Sequence, residues 1–244
     1  MQIEIKHCNG TALYVAQVAD DDQYPIRTAL ERAVAAGVDL STANLADANL
    51  VGANLHGAFL INANLSNTNL HNADLADVNL TDANLVGANL TNANLASTDL
   101  SGANLASANL FGANLVGANL ANANLSAANL RAAYFCGADL SGIKYEGVPV
   151  VPKLDAQILE RIESGQGELD MGNWHTCETA HCRAGWAVTL AGEAGRALEA
   201  KIGTAAAGAL IYHRSTGRIP DFYASDEDAL ADIVACAREQ EGTR

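Results

Sequence analysis

Four side chains able to bind a soft metal or carry thiol chemistry fall between Trp174 and Cys182: His175, Cys177, His181 and Cys182. Cysteine and histidine this close together suit zinc, which takes four nitrogen or sulfur ligands in a tetrahedron. The spacing follows no familiar zinc pattern, and neighbours such as His181 and Cys182 ordinarily point different ways. A thiolate–imidazole pair is a second option, with Cys177 or Cys182 activated at a helix N-terminus as a nucleophile. A Cys177–Cys182 disulfide is a third. In the plainest alternative, Cys182 packs as a small core residue and the other three line an interdomain loop.

What must position these groups is set by the rest of the chain, which is dominated by a repeat. From residue 40 to residue 140 every fifth position is Leu, except for Phe135. The preceding residue is Asn or Asp at 19 of these 21 positions, and the residue before that is Ala at 17. A period this strict dictates the fold. Leucines five apart would be scattered around every side of an α-helix, and on a flat strand they would alternate between faces. A chain that turns a corner once per pentapeptide sends every Leu to one axis, with the small Ala inward as well. Such a coil satisfies its backbone groups against the coils above and below it. A repeating surface also offers few convergent groups, which argues against catalysis there.

The tandem units, such as Ala43-Asn44-Leu45, Ala83-Asn84-Leu85 and Ala113-Asn114-Leu115, resemble those of pentapeptide-repeat proteins. The resemblance covers residues 38–142 and implies an all-β right-handed quadrilateral β-helix, a solenoid of about five coils with four pentapeptides in each. Residues 20 apart then stack in columns, one holding Asn44, Asn64, Asn84, Asn104 and Asn124, another Val51, His71, Thr91, Phe111 and Arg131. The outer Asn residues read as corner and ladder groups of the solenoid. Phe59, Ile61 and Phe111 are expected on its outside. Phe135 suits the role of an alternative central residue near one end.

Residues 1–37 read as a cap: alternating segments at 2–8 and 11–18 around Asn9-Gly10 form a hairpin. A helix follows from Pro25 to Gly37, with Ile26, Leu30 and Val34 on one face. The repeat is expected to stop at 143, with 143–152 as a linker and 153–244 as a small helical C-terminal domain. There, Asp155 is expected to cap a first helix carrying Ile158, Leu159 and Ile162. Further helices are expected over 179–191, 193–202 and 205–213. The last begins at Ser225, with Asp228 completing a weak capping box, and runs to about Glu239. Trp186 is expected in the core. Residues 150–240 are similar to a domain attached to other bacterial pentapeptide-repeat proteins, for which no activity is assigned. That likeness implies a bacterial or phage origin.

The net charge is −14. Residues 39–140 hold seven Asp against one Arg, a balance of −6, and residues 141–244 hold 16 acids against 10 bases, also −6. This argues against direct nucleic-acid binding, which draws most of its affinity from basic groups. No apolar run approaches a membrane span or a signal peptide, so a cytoplasmic protein with reduced cysteines is expected. A non-enzymatic structural or protein-interaction module follows. The family resemblance adds an alternative: a DNA mimic that binds DNA gyrase or topoisomerase IV, inhibiting it or protecting it from quinolones, and self-associating as a homo-oligomer. Against that alternative stand the lack of inserted loops, an outer surface of Asn, Ala, Ser and Gly rather than dense carboxylate, and the helical domain placed after the last coil. A metal- or thiol-dependent activity around Cys177, His181 and Cys182 is the remaining possibility.

Overall fold

A computed structural model describes residues 1–171, 180, 181, 183–222 and 224–242. The chain divides into two compact units, residues 1–134 with 138–146, and residues 135–137 with 147–244.

The first unit is a β-helix-like repeat solenoid. Its rungs are parallel bridges between residues 20 apart, from Asn44–Asn64 through to Asn124–Lys144. Each rung is tied in both directions: Leu45 N–H donates to the Asn64 carbonyl at 2.8 Å, and Asn64 N–H donates to the Ala43 carbonyl at 2.8 Å. Leu and Ala alternate inward and are buried. Where Thr replaces Ala, at Thr68 and Thr98, the buried hydroxyl donates to the carbonyls of Leu45 and Leu75, at 2.8 and 2.7 Å.

A corner follows every Leu. The Ala N–H three residues on closes the turn onto the Leu carbonyl, as from Ala43 to Leu40 at 3.0 Å. The residue two after each Leu is left-handed, from Thr42 at φ 62° to Gly142 at φ 66°. That requirement explains the preponderance of Gly, Asn, Asp and Ser there. The residue before each Leu is therefore not the corner itself. It sits on the rung, and its side-chain oxygen accepts from the corner amide two residues on, as Asn79 Oδ1 does from Thr81 N–H at 3.0 Å. Only about three residues run straight between corners, so the rungs are isolated bridges. Extended strands are few, and the expected all-β architecture holds as a ladder in one unit only.

The unit opens with strands β1 (Gln2–His7) and β2 (Ala12–Gln17), paired antiparallel. Helix α1 (Pro25–Ala35) follows, and then β3 (Ala43–Asn44), which pairs with Lys6 and His7 of β1. The buried face of α1 is Ala29, Leu30 and Ala33; Ile26, read on one face with Leu30 and Val34, is exposed. Glu31 of α1 accepts the Asn54 N–H at 3.0 Å, and Arg27 donates to the Val51 carbonyl at 2.9 Å. The helix thus satisfies groups that have no preceding coil. At the other end the register outlasts residue 142: Lys144 bridges to Asn124 and Tyr145 is buried in the position of a Leu. The expected stop at 143 is one pentapeptide early.

The second unit is mostly helical. It contains α2 (Leu154–Glu163), β4 (Glu168–Leu169), β5 (Ala180–His181), α3 (Arg183–Leu190), α4 (Gly192–Ile202), α5 (Thr204–Thr216) and α6 (Asp226–Gly242). The two short strands pair parallel. Helices α3 and α5 approach closely because position 208 is Gly: a Cβ there would lie 2.4 Å from the Ala184 Cβ. Trp186 is buried as expected, its indole N–H donating to the Glu168 carbonyl at 3.2 Å. The capping box at α6 is reciprocal, with Asp228 N–H donating to Ser225 Oγ at 3.2 Å and that hydroxyl donating back to the carboxylate at 2.7 Å. At α2, Asp155 is no cap. Lys153 occupies the cap position in a left-handed conformation, and Asp155 is fully buried in the first turn. Among the described residues, no helix is long and apolar enough to cross a membrane.

Candidate functional site

Of the four residues nominated for metal or thiol chemistry, His175, Cys177 and Cys182 lie outside the described residues, as does the Cys177–Cys182 pairing. The backbone of His181 belongs to β5, where it pairs with Leu169. Among the described residues no group of three or more His, Cys, Asp and Glu is arranged to hold a metal.

The titratable cluster that the structure does assemble lies elsewhere in the helical unit. Arg183, at the start of α3, is 1% exposed. Its Nη2 donates to Asp155 Oδ1 at 2.7 Å, its Nε to the Tyr212 hydroxyl at 2.9 Å, and its Nη1 to Asp232 Oδ2. The Tyr212 hydroxyl donates onward to Asp155 Oδ1 at 3.1 Å. Arg218 adds Nη1 to Asp232 Oδ2 at 2.9 Å and Nη2 to Asp155 Oδ2 at 3.4 Å. Gln240 Nε2 donates to the same Asp155 oxygen at 2.9 Å. Helices α2, α3, α5 and α6 are thereby tied to one carboxylate or its partners.

Two guanidinium groups face two carboxylates, so the cluster balances. Burial works against the charge of Arg183, but Tyr212 and Asp155 outweigh it and hold the guanidinium above its ordinary pKa. Burial pushes the Tyr212 hydroxyl up. Burial also opposes ionisation of Asp232, yet the hydrogen bonds from Arg183 and Arg218 prevail and hold its carboxyl below the usual range. Burial raises the nearby Cys236 thiol, away from the reactive thiolate. Each of these shifts moves its group away from exchanging a proton near neutral pH. The sequence offered one signal for this cluster: Asp155 and Arg183 each interrupt an otherwise apolar helix face.

On the solenoid the side-chain amides form ladders. Asn64 Nδ2 donates to Asn44 Oδ1 and Asn84 Nδ2 to Asn64 Oδ1, both at 3.2 Å, and Asn124 to Asn104 at 3.0 Å. Where an Asp enters a column the Asn above donates to it, as from Asn94 to Asp74 at 3.0 Å and from Asn119 to Asp99 at 3.1 Å. These amides are spent on one another and on corner amides. Phe59, Phe111, Val116 and Tyr134 stand out from this surface as exposed large apolar groups.

The profile of the family described as "Pentapeptide repeats" matches in eight copies, over residues 26–60, 43–82, 73–110 and 103–142. Solved structures similar to this chain include the following three. A pentapeptide repeat protein (Rfr23) from the cyanobacterium Cyanothece 51142 is 44% identical over 38% of this chain and 60% of its own length, with a TM-score of 0.35. Another, from Nostoc Pcc 7120, is 33% identical over 49% of this chain and 94% of its own length, with a TM-score of 0.30. QnrB1, a plasmid-mediated fluoroquinolone resistance protein, is 20% identical over 42% of this chain and 65% of its own, with a TM-score of 0.24. The chain spans only three-fifths of the Cyanothece protein. Among curated proteins, none matches this chain.

Proposed function

This chain belongs to the pentapeptide-repeat family, and we propose on that footing that it is a non-enzymatic structural and protein-interaction module. In this reading the repeat from residue 38 forms a right-handed quadrilateral β-helix of about five coils whose last rung reaches Lys144 and Tyr145, capped by 1–37 and followed by a helical domain over 153–244. The protein works in a bacterial cytoplasm, and its partner is another protein. One observation carries this: the cluster around Arg183 and Asp155 is saturated by its own members, and the solenoid amides are spent on ladders. Neither leaves a convergent set of groups for a reaction. A turnover by the full chain that Asp232→Asn abolishes without changing the melting temperature would overturn the reading.

The second reading is a DNA mimic acting on DNA gyrase or topoisomerase IV. The excess of seven Asp over one Arg in residues 39–140 favours it. The test is a gyrase supercoiling assay with and without a fluoroquinolone. Inhibition or protection at micromolar protein selects the mimic, and no effect at saturating protein leaves the scaffold. The third reading, zinc or thiol chemistry at His175, Cys177, His181 and Cys182, is decided by metal content and free-thiol counts on the purified protein.

A further inference from the structure

The solenoid needs small or amide side chains outside, and four departures from that need meet on two successive coils. Phe111 and Val116 occupy the corners on either side of Asn114, and Arg131 and Tyr134 lie on the next coil. The register fixes their neighbourhood. Gly112 N–H donates to the Arg131 carbonyl at 2.9 Å, and Leu115 N–H donates to the Tyr134 carbonyl at 2.8 Å, with Asn114 and Tyr134 bridged. Arg131 therefore stacks one rung from Phe111, and Tyr134 one rung from Asn114, at about 4.8 Å between rungs. Phe111 is 44% exposed, Val116 40% and Tyr134 45%, and Arg131 is exposed as well.

All four differ from the side chains that other coils place there. Positions equivalent to Phe111 hold Val51, His71 and Thr91, and those equivalent to Tyr134 hold Asn54, Asp74, Asn94 and Asn114. Exposed Phe111 and Val116 leave apolar surface in contact with water. Arg131 is also the one Arg or Lys among residues 39–140, against seven Asp. Two aromatics and an arginine side by side have the composition of a binding hot spot.

We propose that this face, Phe111, Val116, Arg131 and Tyr134, is a docking site for a protein segment that presents a carboxylate beside apolar side chains. The charge pattern selects that occupant. Elsewhere on this stretch a carboxylate meets like charge, and here it meets a guanidinium flanked by apolar surface. A second copy using the same face would bring two Arg131 side chains together about the two-fold axis. A nucleic acid would meet one arginine within a surface of net negative charge. The assignment rests on the protein-binding reading and narrows it to one face and one partner chemistry.

The test pans a displayed random-peptide library on the full chain and counter-screens it on Phe111→Ser/Tyr134→Asn. Asn stands in the place of Tyr134 on other coils, and Ser follows Leu in other repeats, as at Ser66 and Ser101, so the variant should keep its melting temperature. The expected result is enrichment of peptides with Asp or Glu next to Leu, Phe or Trp. A synthetic peptide of the enriched sequence should bind the double variant at least about 30-fold more weakly and Arg131→Glu about tenfold more weakly, in line with hot-spot losses. Enriched peptides that bind the double variant equally well would overturn this site while sparing the binding reading. Failure to enrich any peptide would overturn the site and count against the binding reading too. Basic rather than acidic peptides would overturn the assigned partner chemistry.

Discussion

Arg183 of α3 and Asp155 of α2 pair at 2.7 Å with both side chains essentially out of water, 28 residues apart in sequence. Such a pair repays its desolvation only when the remaining donors and acceptors are filled. Here Tyr212, Gln240, Arg218 and Asp232 fill them.

Removing one partner should be costly. Asp155→Ala would leave the buried Arg183 with the Tyr212 hydroxyl and the half-exposed Asp232 carboxylate, and is expected to destabilise the helical unit by about 3–5 kcal/mol. Urea unfolding followed by helical circular dichroism measures this. The double variant Asp155→Ala/Arg183→Met should recover part of the loss. A single variant within about 0.5 kcal/mol of wild type would show that the ion pair is not needed.

Tyr212 predicts the alkaline limb of stability. Its hydroxyl is held above the ordinary value by burial, so the unfolded chain loses this proton first as pH rises. Its contribution is fully present below about pH 10 and declines above it, by at most about 1.4 kcal/mol per pH unit. Tyr212→Phe should be weaker at pH 8 by about 1–2 kcal/mol and should flatten that limb. Urea midpoints between pH 8 and 11 for both proteins give the comparison, and equal slopes would contradict the assignment. Asp232 acts with the opposite sign. Its lowered carboxyl contributes above about pH 4 and the contribution is lost as pH falls further, but its exposure keeps the effect small.

Leu90 tests the solenoid axis. It is fully buried at mid-ladder, where Leu90→Asp would place an unpaired charge among leucines. The variant is expected to be unfolded or recovered as aggregate. Leu90→Ala should fold with a loss of about 2–5 kcal/mol. Unchanged melting of Leu90→Asp would refute the inward-Leu arrangement.

Ala127 offers a test in the stabilising direction. It occupies a left-handed corner at φ 58°, a conformation that Asn holds at five other corners, among them Asn62 and Asn122. Relief of the steric cost in Ala127→Asn should stabilise the protein by about 1 kcal/mol and raise its melting temperature. A lowered melting temperature would mean that corner strain is not what selects these residues.

The solenoid was legible because one physical demand recurs at each position. Leu must reach the axis, Ala must fit beside it, and the residue two after Leu must tolerate positive φ. The ends were less legible. Tyr145 breaks the Leu pattern but occupies its site, because an axis position needs bulk more than a particular side chain. Ile26 shares a face with Leu30 and Val34 by helical spacing, but α1 turns its small Ala29 and Ala33 to the core. The buried cluster escaped because its members come from four helices and a loop, with no local spacing to announce them. Asp155 at the head of a helix resembles a cap, and only its partner 28 residues away makes it an ion in the core.

The 20-residue register has a genetic meaning. Insertion or deletion of DNA encoding twenty residues returns every later side chain to its own column. A change of five residues also keeps the Leu phase and the corners, but moves all later positions to the next column. Slippage by single units would then swing later groups such as Arg131 and Tyr134 onto a different side relative to the N-terminal cap, while the interior stays leucine throughout. Pentapeptide-sized replication errors can thus rearrange the outside of this protein without touching its inside.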